Sequence, residues 1–124
     1  MQSLLFNFQG RANRAKFWLV SLGVLIVEMI LFGVLGGGAM MSGDMPSLSS
    51  FGAMGVVAAL VLIVAVWISL AVAVKRWHDR GKSGWWVLIA FVPVIGGLWY
   101  IVECGFLKGT TGANAYGPDP LAAV

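Results

Sequence analysis

Three long apolar stretches constrain the fold of this chain more than any other feature. They cover residues 17–41, 51–74 and 85–107 of the 124-residue sequence. A helix needs roughly 20 mostly apolar residues to cross about 30 Å of hydrocarbon, and each stretch reaches that length. None alternates apolar and polar residues as membrane β-strands do. Because backbone groups in lipid must bond within the protein, the pattern predicts an all-α integral membrane protein with three transmembrane helices.

Composition supports the same conclusion. Hydrophobic residues make up 60% of the chain and charged residues only 10%, and the mean hydropathy is +0.92. A soluble domain has roughly 45–50% apolar and about 25% charged residues, so this chain has too few charges to cover a water-facing surface. Its length corresponds to a single membrane domain, residues 1–124. The first apolar stretch exceeds the roughly 7–15 apolar residues of a cleaved signal peptide, so we expect it to be retained.

The distribution of basic residues predicts which side of the membrane each loop faces. Residues 1–16 and residues 75–84 are rich in Lys and Arg, whereas residues 42–50 contain neither. Short basic loops stay in the cytoplasm. This predicts an N-terminus inside, the 42–50 loop outside and the 75–84 loop inside, in a multi-pass protein of a bacterial inner (cytoplasmic) membrane.

The third apolar stretch contains a helix breaker near its centre. Pro93 removes a backbone hydrogen bond, and Gly96 and Gly97 follow it closely. We therefore predict that the third helix is kinked or re-entrant at residues 93–97. A kinked full span, the main interpretation, places the irregular polar tail 108–124 outside, with Lys108 as the one basic residue on that side. A re-entrant hairpin returns the tail to the cytoplasm.

Seven basic residues flank the apolar stretches, and two roles fit them. The first is a topology signal, in which only the total charge matters and exchanging Arg for Lys is tolerated. The second is contact with anionic lipid head groups, since each basic residue near an anionic leaflet contributes about 1 kcal/mol. The expected partner is then the membrane surface rather than nucleic acid, with a membrane-protein partner or a homo-oligomer as alternatives. The candidate contact residues are Arg11, Arg14, Lys16, Lys75, Arg76, Arg80 and Lys82.

Glu28 lies near the middle of the first apolar stretch. Ionisable residues at that depth are costly and suggest function. With no basic residue at its depth, we expect Glu28 to be hydrogen-bonded to a polar or aromatic side chain of another span: Ser69, Trp67 or Tyr100. Packing is the simpler role for Glu28; passage of protons or ions through a small transport or channel component is the alternative function. Glu103, near the end of the third stretch, is expected to be reached by water.

The sequence shows no arrangement typical of catalysis. It contains no recognisable pair of carboxylates, nucleophile with its base, or metal cluster. Cys104 and His78 are each the only residue of their type, so neither an intramolecular disulfide nor a metal site is expected. We predict a non-enzymatic protein without a cofactor, in which His78 and Asp79 have structural, hydrogen-bonding roles.

Three blocks of sequence carry a family resemblance. They are residues 10–18 (GRANRAKFW), residues 75–86 (KRWHDRGKSGWW), and residues 93–96 (PVIG) continuing to residues 108–120 (KGTTGANAYGPDP). In these blocks the chain resembles the bacterial inner-membrane family of YhaH-type proteins, a domain of unknown function (number 805). The family often has an aliphatic residue where Trp77 stands and an arginine where Ala115 stands. The resemblance implies a multi-pass inner-membrane protein and implies no reaction.

Overall fold

The computed structural model describes residues 5–43 and 48–121. Within these residues the chain is helical and contains no β-strand, apart from one isolated bridge in the tail. The predicted outer loop, residues 42–50, lies partly outside the described residues. The predicted all-α class is confirmed.

Helix α1 spans Arg14–Ser42. Its N-terminus is capped by Asn13, whose side-chain oxygen accepts a hydrogen bond of 2.9 Å from the backbone N–H of Lys16. Such a cap satisfies one of the N–H groups that the first turn of a helix leaves without a partner. The helix ends at Gly43, which adopts the left-handed conformation with φ of 71°.

Helix α2 spans Leu48–Asp79 and contains one non-helical residue, Gly52, with φ of 30°. After this kink it runs without interruption into the basic loop. Two segments are long and apolar enough to cross a membrane, Arg14–Gly37 in α1 and Gly55–Asp79 in α2. The first two predicted spans are therefore present as helices.

The two long helices run antiparallel. The start of α1 lies beside the end of α2, where the backbone N–H of Ala12 bonds the carbonyl of Lys75 at 3.1 Å. The less exposed residues of α1 include Phe17, Val20, Val24 and Glu28, at spacings of three and four residues. This spacing defines one face of a helix, so Glu28 belongs to the face that packs on α2.

The third apolar stretch is a hairpin of two short arms. A 3₁₀ helix spans Gly84–Phe91, and α3 spans Ile95–Tyr100 and continues as a π-helical segment over Ile101–Phe106. Between the arms, Pro93 is followed by Val94 with φ of 64°, an uncommon conformation for a β-branched residue. The break predicted at residues 93–97 is confirmed.

Contacts between the two arms show that they fold back on each other. A Cβ atom at Gly96 would overlap the carbonyl oxygen of Ile89, so only glycine permits this close approach. Further from the turn, the rings of Trp86 and Trp99 lie 6.2 Å apart. At about 2.0 Å of rise per residue, the 3₁₀ arm reaches only about 16 Å, roughly half of the hydrocarbon thickness.

The tail lies at the same end of the molecule as the basic loop, whereas a full third span would place it at the opposite end. Both ends of the hairpin lie at the end of the α1–α2 pair that carries the basic loop: Lys82 forms an ion pair with Glu103, and the N–H of Thr110 bonds the carbonyl of Asp79 at 2.6 Å. The re-entrant alternative therefore describes the third segment. Lys108, which seemed misplaced in a full span, joins the other basic residues because its carbonyl accepts a hydrogen bond from Arg80.

We call this end of the molecule the cap, and define it as residues 5–16, 75–84 and 103–121. The buried hydrophobic cluster of the protein lies at or next to the cap and includes Ala12, Phe17, Val72, Trp77 and Cys104. The remaining length of α1 presents apolar side chains outward, as expected for a surface that faces lipid. The position of the cluster means that the three segments of the cap are packed as one body.

Candidate functional site

Asp79, the last residue of α2, is the centre of a buried ion-pair network. Its carboxylate accepts hydrogen bonds from Arg11, at 3.0 Å from Nε, and from Arg76, which lies one turn earlier on the same helix. The side chains of both arginines are almost fully buried, with 1% of Arg11 and none of Arg76 exposed. Because buried charges are tolerated only when they are paired and hydrogen-bonded, each of these three residues depends on the others.

Arg11 fastens the tail to this network. Beyond its bond to Asp79, its guanidinium donates to the backbone carbonyls of Thr110, Gly112 (2.6 Å) and Gly117 (3.3 Å). Gly109 passes so close to Asp79 that an added Cβ atom would overlap the carboxylate. The planar fork of arginine, with five donors, is suited to several acceptors at once.

Arg76 holds the end of the hairpin in a similar way. Its Nε donates to the carbonyl of Cys104 at 2.6 Å, and Nη2 donates to the carbonyl of Leu107. These carbonyls belong to the last turn of the π-helical segment and the residue after it, where backbone acceptors lack partners within the helix. Arg76 therefore satisfies a buried helix terminus and neutralises Asp79 at the same time.

A second carboxylate, Glu103, pairs with the basic loop. Oε1 accepts from Lys82 and, at 3.4 Å, from Arg80, and Oε2 accepts from the indole N–H of Trp99 at 2.6 Å. The Lys82 ammonium also lies 4.9 Å from the ring centroid of Trp86 and within 6.0 Å of two further tryptophan rings. A cation at this distance from an indole is attracted to the ring. Glu103 is buried, so the expectation that water reaches it is wrong.

His78 connects the first block of sequence with the tail. Its Nδ1 lies 2.9 Å from the carbonyl of Gly10, and its ring stacks on Tyr116 with centroids 4.1 Å apart and planes 3° apart. Asn114 donates to the backbone carbonyl of His78 at 2.9 Å. The structure thus gives His78 and Asp79 hydrogen-bonding contacts of the kind predicted.

The tail is ordered by its own short-range bonds as well. The carboxylate of Asp119 accepts from the backbone N–H of Leu121 and of Gly112, both at 2.9 Å. These hydrogen bonds favour the ionised form and hold the pKa of Asp119 below its usual range. The described part of the tail has no helix or strand, in agreement with the predicted irregular segment, but hydrogen bonds attach it to the rest of the cap.

The structure divides the seven predicted contact residues into two groups. Arg11, Lys75 and Arg76 have buried side chains or backbones. Arg14, Lys16, Arg80 and Lys82 keep exposed or partly exposed surface, and Arg14 also donates to the carbonyl of Phe106 at 3.0 Å. Contact with lipid head groups stays a prediction for the second group. Sequence reasoning missed the partners of these residues, although Asp79, three residues after Arg76, stands out as a carboxylate inside a basic loop.

In the described part of the chain Glu28 forms no hydrogen bond with Ser69, Trp67 or Tyr100, the residues expected to pair with it. The indole N–H of Trp67 donates to the carbonyl of Phe6 at 3.3 Å, and the ring of Tyr100 packs on Phe17 with centroids 5.9 Å apart. Both lie near the cap, away from the middle of α1. Among the described residues Glu28 has no hydrogen-bond or ion-pair partner, and its role stays a prediction.

The cap and the apolar helices together define an integral membrane protein, and comparison with known proteins places it in a family. The chain belongs to the family described as Protein of unknown function (DUF805), which matches residues 5–118. It is 35% identical to the inner membrane protein YhaI of Escherichia coli strain K12 over 92% of this chain and 86% of YhaI. It is 34% identical to the inner membrane protein YhaH of the same strain over 92% of this chain and 87% of YhaH. The uncharacterized protein YiiR is 29% identical over 96% of this chain and 89% of YiiR.

No solved structure matches the chain. The names of YhaI and YhaH and the two apolar helices confirm the predicted location in the bacterial inner membrane. The family resemblance predicted from the three sequence blocks is also confirmed. These blocks supply Gly10 and Arg11, the loop from Lys75 to Gly84, and the tail, and the structure brings all of them together in the cap.

Proposed function

We propose that this protein is a non-enzymatic membrane component that associates with anionic lipids of the cytoplasmic leaflet through its cap. One observation carries the proposal: all eight basic residues of the chain lie at one end of the molecule. The hairpin is what gathers them, because it returns Lys108 to the end that carries the other seven.

The charge of the cap is only partly neutralised inside the protein. Eight Lys and Arg residues less the three carboxylates of the cap, Asp79, Glu103 and Asp119, leave a formal charge of +5. Asp79 and Glu103 are paired with buried or half-buried basic residues. Arg11, Arg76 and Lys75 are buried and exceed Asp79 by a formal charge of +2. The other +3 falls on exposed or half-exposed side chains, of which Arg14 and Lys16 occupy the first turn of α1. A polybasic surface next to a membrane helix attracts anionic lipid at about 1 kcal/mol per residue.

The experiment measures the lipids that surround the protein. Membranes containing the full chain are extracted into polymer nanodiscs, and the anionic fraction in the discs is compared with that of the whole membrane. We expect enrichment of anionic lipid, and a severalfold decrease in that enrichment for the double variant Arg14→Gln and Lys16→Gln. The matched control, Arg14→Lys with Lys16→Arg, keeps both charges and should keep the enrichment.

Two results would contradict the proposal. One is a disc composition equal to that of the membrane. The other is an enrichment that the double glutamine variant leaves unchanged, which would point to a membrane-protein partner or a homo-oligomer instead.

A further inference from the structure

The hairpin carries a groove on its second arm that the ion-pair network does not use. The groove has a volume of about 420 Å³ and is lined by Ile95, Leu98, Val102, Trp99 and Glu103. Its first three residues are apolar and lie on one face of the helix, at spacings of three and four. At about 1.5 Å of rise per residue, this face is about 10 Å long. The groove thus has an apolar length and one polar end.

Charge is placed only at that polar end. Glu103 lies there, buried, and two cations converge on its Oε1 atom, Lys82 and Arg80. Two cations on one carboxylate leave a local formal charge of +1. The side chains of both cations remain partly exposed, Arg80 at 26% and Lys82 at 31%, so this charge is open to a ligand.

Both cations also have more hydrogen-bond donors than their bonds within the described residues use. An ammonium group has three donors and a guanidinium has five. Within the described part of the chain, Lys82 spends one donor on Glu103, and Arg80 uses Nε on Glu103 and Nη1 on the carbonyl of Lys108. Donors from two neighbouring cations suit a phosphodiester, which has a single negative charge and several acceptor oxygens.

Two tryptophans flank the polar end. Trp86 and Trp99 keep 40% and 43% of their surface exposed. Tryptophan side chains concentrate where head groups meet acyl chains, because the ring is apolar and its N–H is polar. They place the polar end of the groove at head-group level and its apolar length among the acyl chains.

We propose that the groove binds one phospholipid, with an acyl chain along Ile95, Leu98 and Val102 and an anionic phosphodiester held by Lys82 and Arg80. This proposal rests on the proposed function and narrows it, from general attraction of anionic lipid by the cap to a single site on the hairpin. Charge complementarity selects the occupant. A zwitterionic lipid would bring a cation to a place where two are already present. An apolar helix of another protein would leave the surplus charge of +1 beside Glu103 without a counter-charge.

The test uses the full chain in mild detergent with equimolar phosphatidylglycerol and phosphatidylcholine that carry identical acyl chains. Native mass spectrometry counts the lipid molecules retained by the protein. We expect one tightly retained lipid, with phosphatidylglycerol preferred by about tenfold, the ratio expected for a charge-assisted contact. Glycerophosphoglycerol, the same head group without acyl chains, should not displace it, because most of the contact area is apolar.

Variants test the two ends of the groove separately. Lys82→Gln should abolish the preference, whereas Lys82→Arg and Lys16→Gln should keep it, the latter being an exposed lysine on α1. Leu98→Trp fills the groove and leaves every ion pair intact, so it should lower retention of both lipids even if Lys82→Gln fails to fold.

An unchanged preference in Lys82→Gln, or unchanged retention in Leu98→Trp, would overturn the proposal. Displacement by glycerophosphoglycerol would overturn it as well, since it would show a head-group site without an acyl chain. The single site and the proposed function can fail independently. Enrichment in nanodiscs that depends on Arg14 and Lys16, without a retained lipid in detergent, would remove only the site on the hairpin.

Discussion

The two ends of this molecule are built on different physical principles. Away from the cap, α1 is a largely exposed apolar surface, on which nearly any apolar side chain is compatible with lipid. In the cap, charged residues from distant parts of the chain are buried together. Arg11 bonds the carbonyl of Gly112, 101 positions away. The comparison teaches that the membrane segments are specified by composition, whereas the cap is specified by individual pairs of residues.

The largest expected effect is an all-or-none difference in thiol labelling. It reports the side of the membrane on which the tail lies. In a Cys104→Ala background we expect Ala115→Cys and Lys16→Cys to react with an impermeant thiol reagent only after the inner membrane is permeabilised. Both lie at the cap, which is predicted to face the cytoplasm. A cysteine at residue 47, in the loop that the distribution of basic residues predicts to be outside, should react in intact spheroplasts. Labelling of Ala115→Cys without permeabilisation would restore the full-span interpretation.

The second largest expected effect is the loss of stability when the buried carboxylate of Asp79 is removed. Asp79→Asn leaves the guanidinium groups of Arg11 and Arg76 buried without a counter-charge, and breaking a buried pair costs about 3–5 kcal/mol. We expect a large decrease in the thermal unfolding temperature in detergent. Asp119→Asn, which removes a carboxylate from the tail instead, should have a much smaller effect. Equal effects of the two variants would mean that Asp79 is no more important than any other acidic residue of the cap.

Exchanging one basic residue for another should also matter inside the cap. Arg76→Lys keeps the charge but cannot reach Asp79 and the carbonyls of Cys104 and Leu107 together. We expect a loss of about 2 kcal/mol, the scale of one or two charge-assisted hydrogen bonds. The matched exchange Arg14→Lys, at an exposed position, should be nearly neutral. The interpretation of the basic residues as a topology signal predicts that such exchanges are tolerated, and an unaffected Arg76→Lys would support it.

The hairpin provides a comparison of two adjacent glycines. A Cβ atom at Gly96 would lie 2.9 Å from Cβ of Val92 as well as against the carbonyl of Ile89, whereas nothing lies within 4 Å of one at Gly97. Overpacking of this kind costs about 1–3 kcal/mol. We expect Gly96→Ala to destabilise the protein and Gly97→Ala to leave it unchanged, as measured by thermal unfolding. Similar behaviour of both variants would show that the arms of the hairpin are not in close contact.

The smallest expected effect lies in the apolar region. Glu28→Gln should leave the enrichment of anionic lipid in nanodiscs unchanged, because Glu28 is remote from the cap. The same variant tests the alternative function. Proton flux through liposomes containing the wild-type protein, lost in Glu28→Gln, would favour a transport component over the function proposed here.

The contrast between the membrane segments and the cap also explains which features could be predicted from the sequence. Apolar length is a property of single segments, so α1 and α2 were accessible without coordinates. The orientation indicated by the distribution of Lys and Arg stays a prediction. Pro93 predicted the break in the third segment, because the effect of a proline on a helix is also local to one segment. The end of the molecule at which the tail lies was not accessible, because a full span and a hairpin of this length have the same composition.

The ion-pair network was hidden for a related reason. The residue type does not show whether an arginine is buried or exposed. Arg76 and Arg80 differ only in the residues that surround them in the folded protein. The carboxylates that pair with the basic residues are separated from some of them by many positions, as Arg11 is from Asp79. No periodicity connects such residues, so their contacts required the three-dimensional structure.

The bonds made by Arg11 and Arg76 also set an order of events during biosynthesis. Both side chains emerge from the ribosome well before the carbonyls they need, which belong to residues 104, 107, 110 and 112. In a nascent chain that ends before the tail, Arg11 and Arg76 have Asp79 as a partner but lack these carbonyls. Completion of the last segment closes the cap, so a prematurely truncated chain would expose charged surface that distinguishes it from the finished protein.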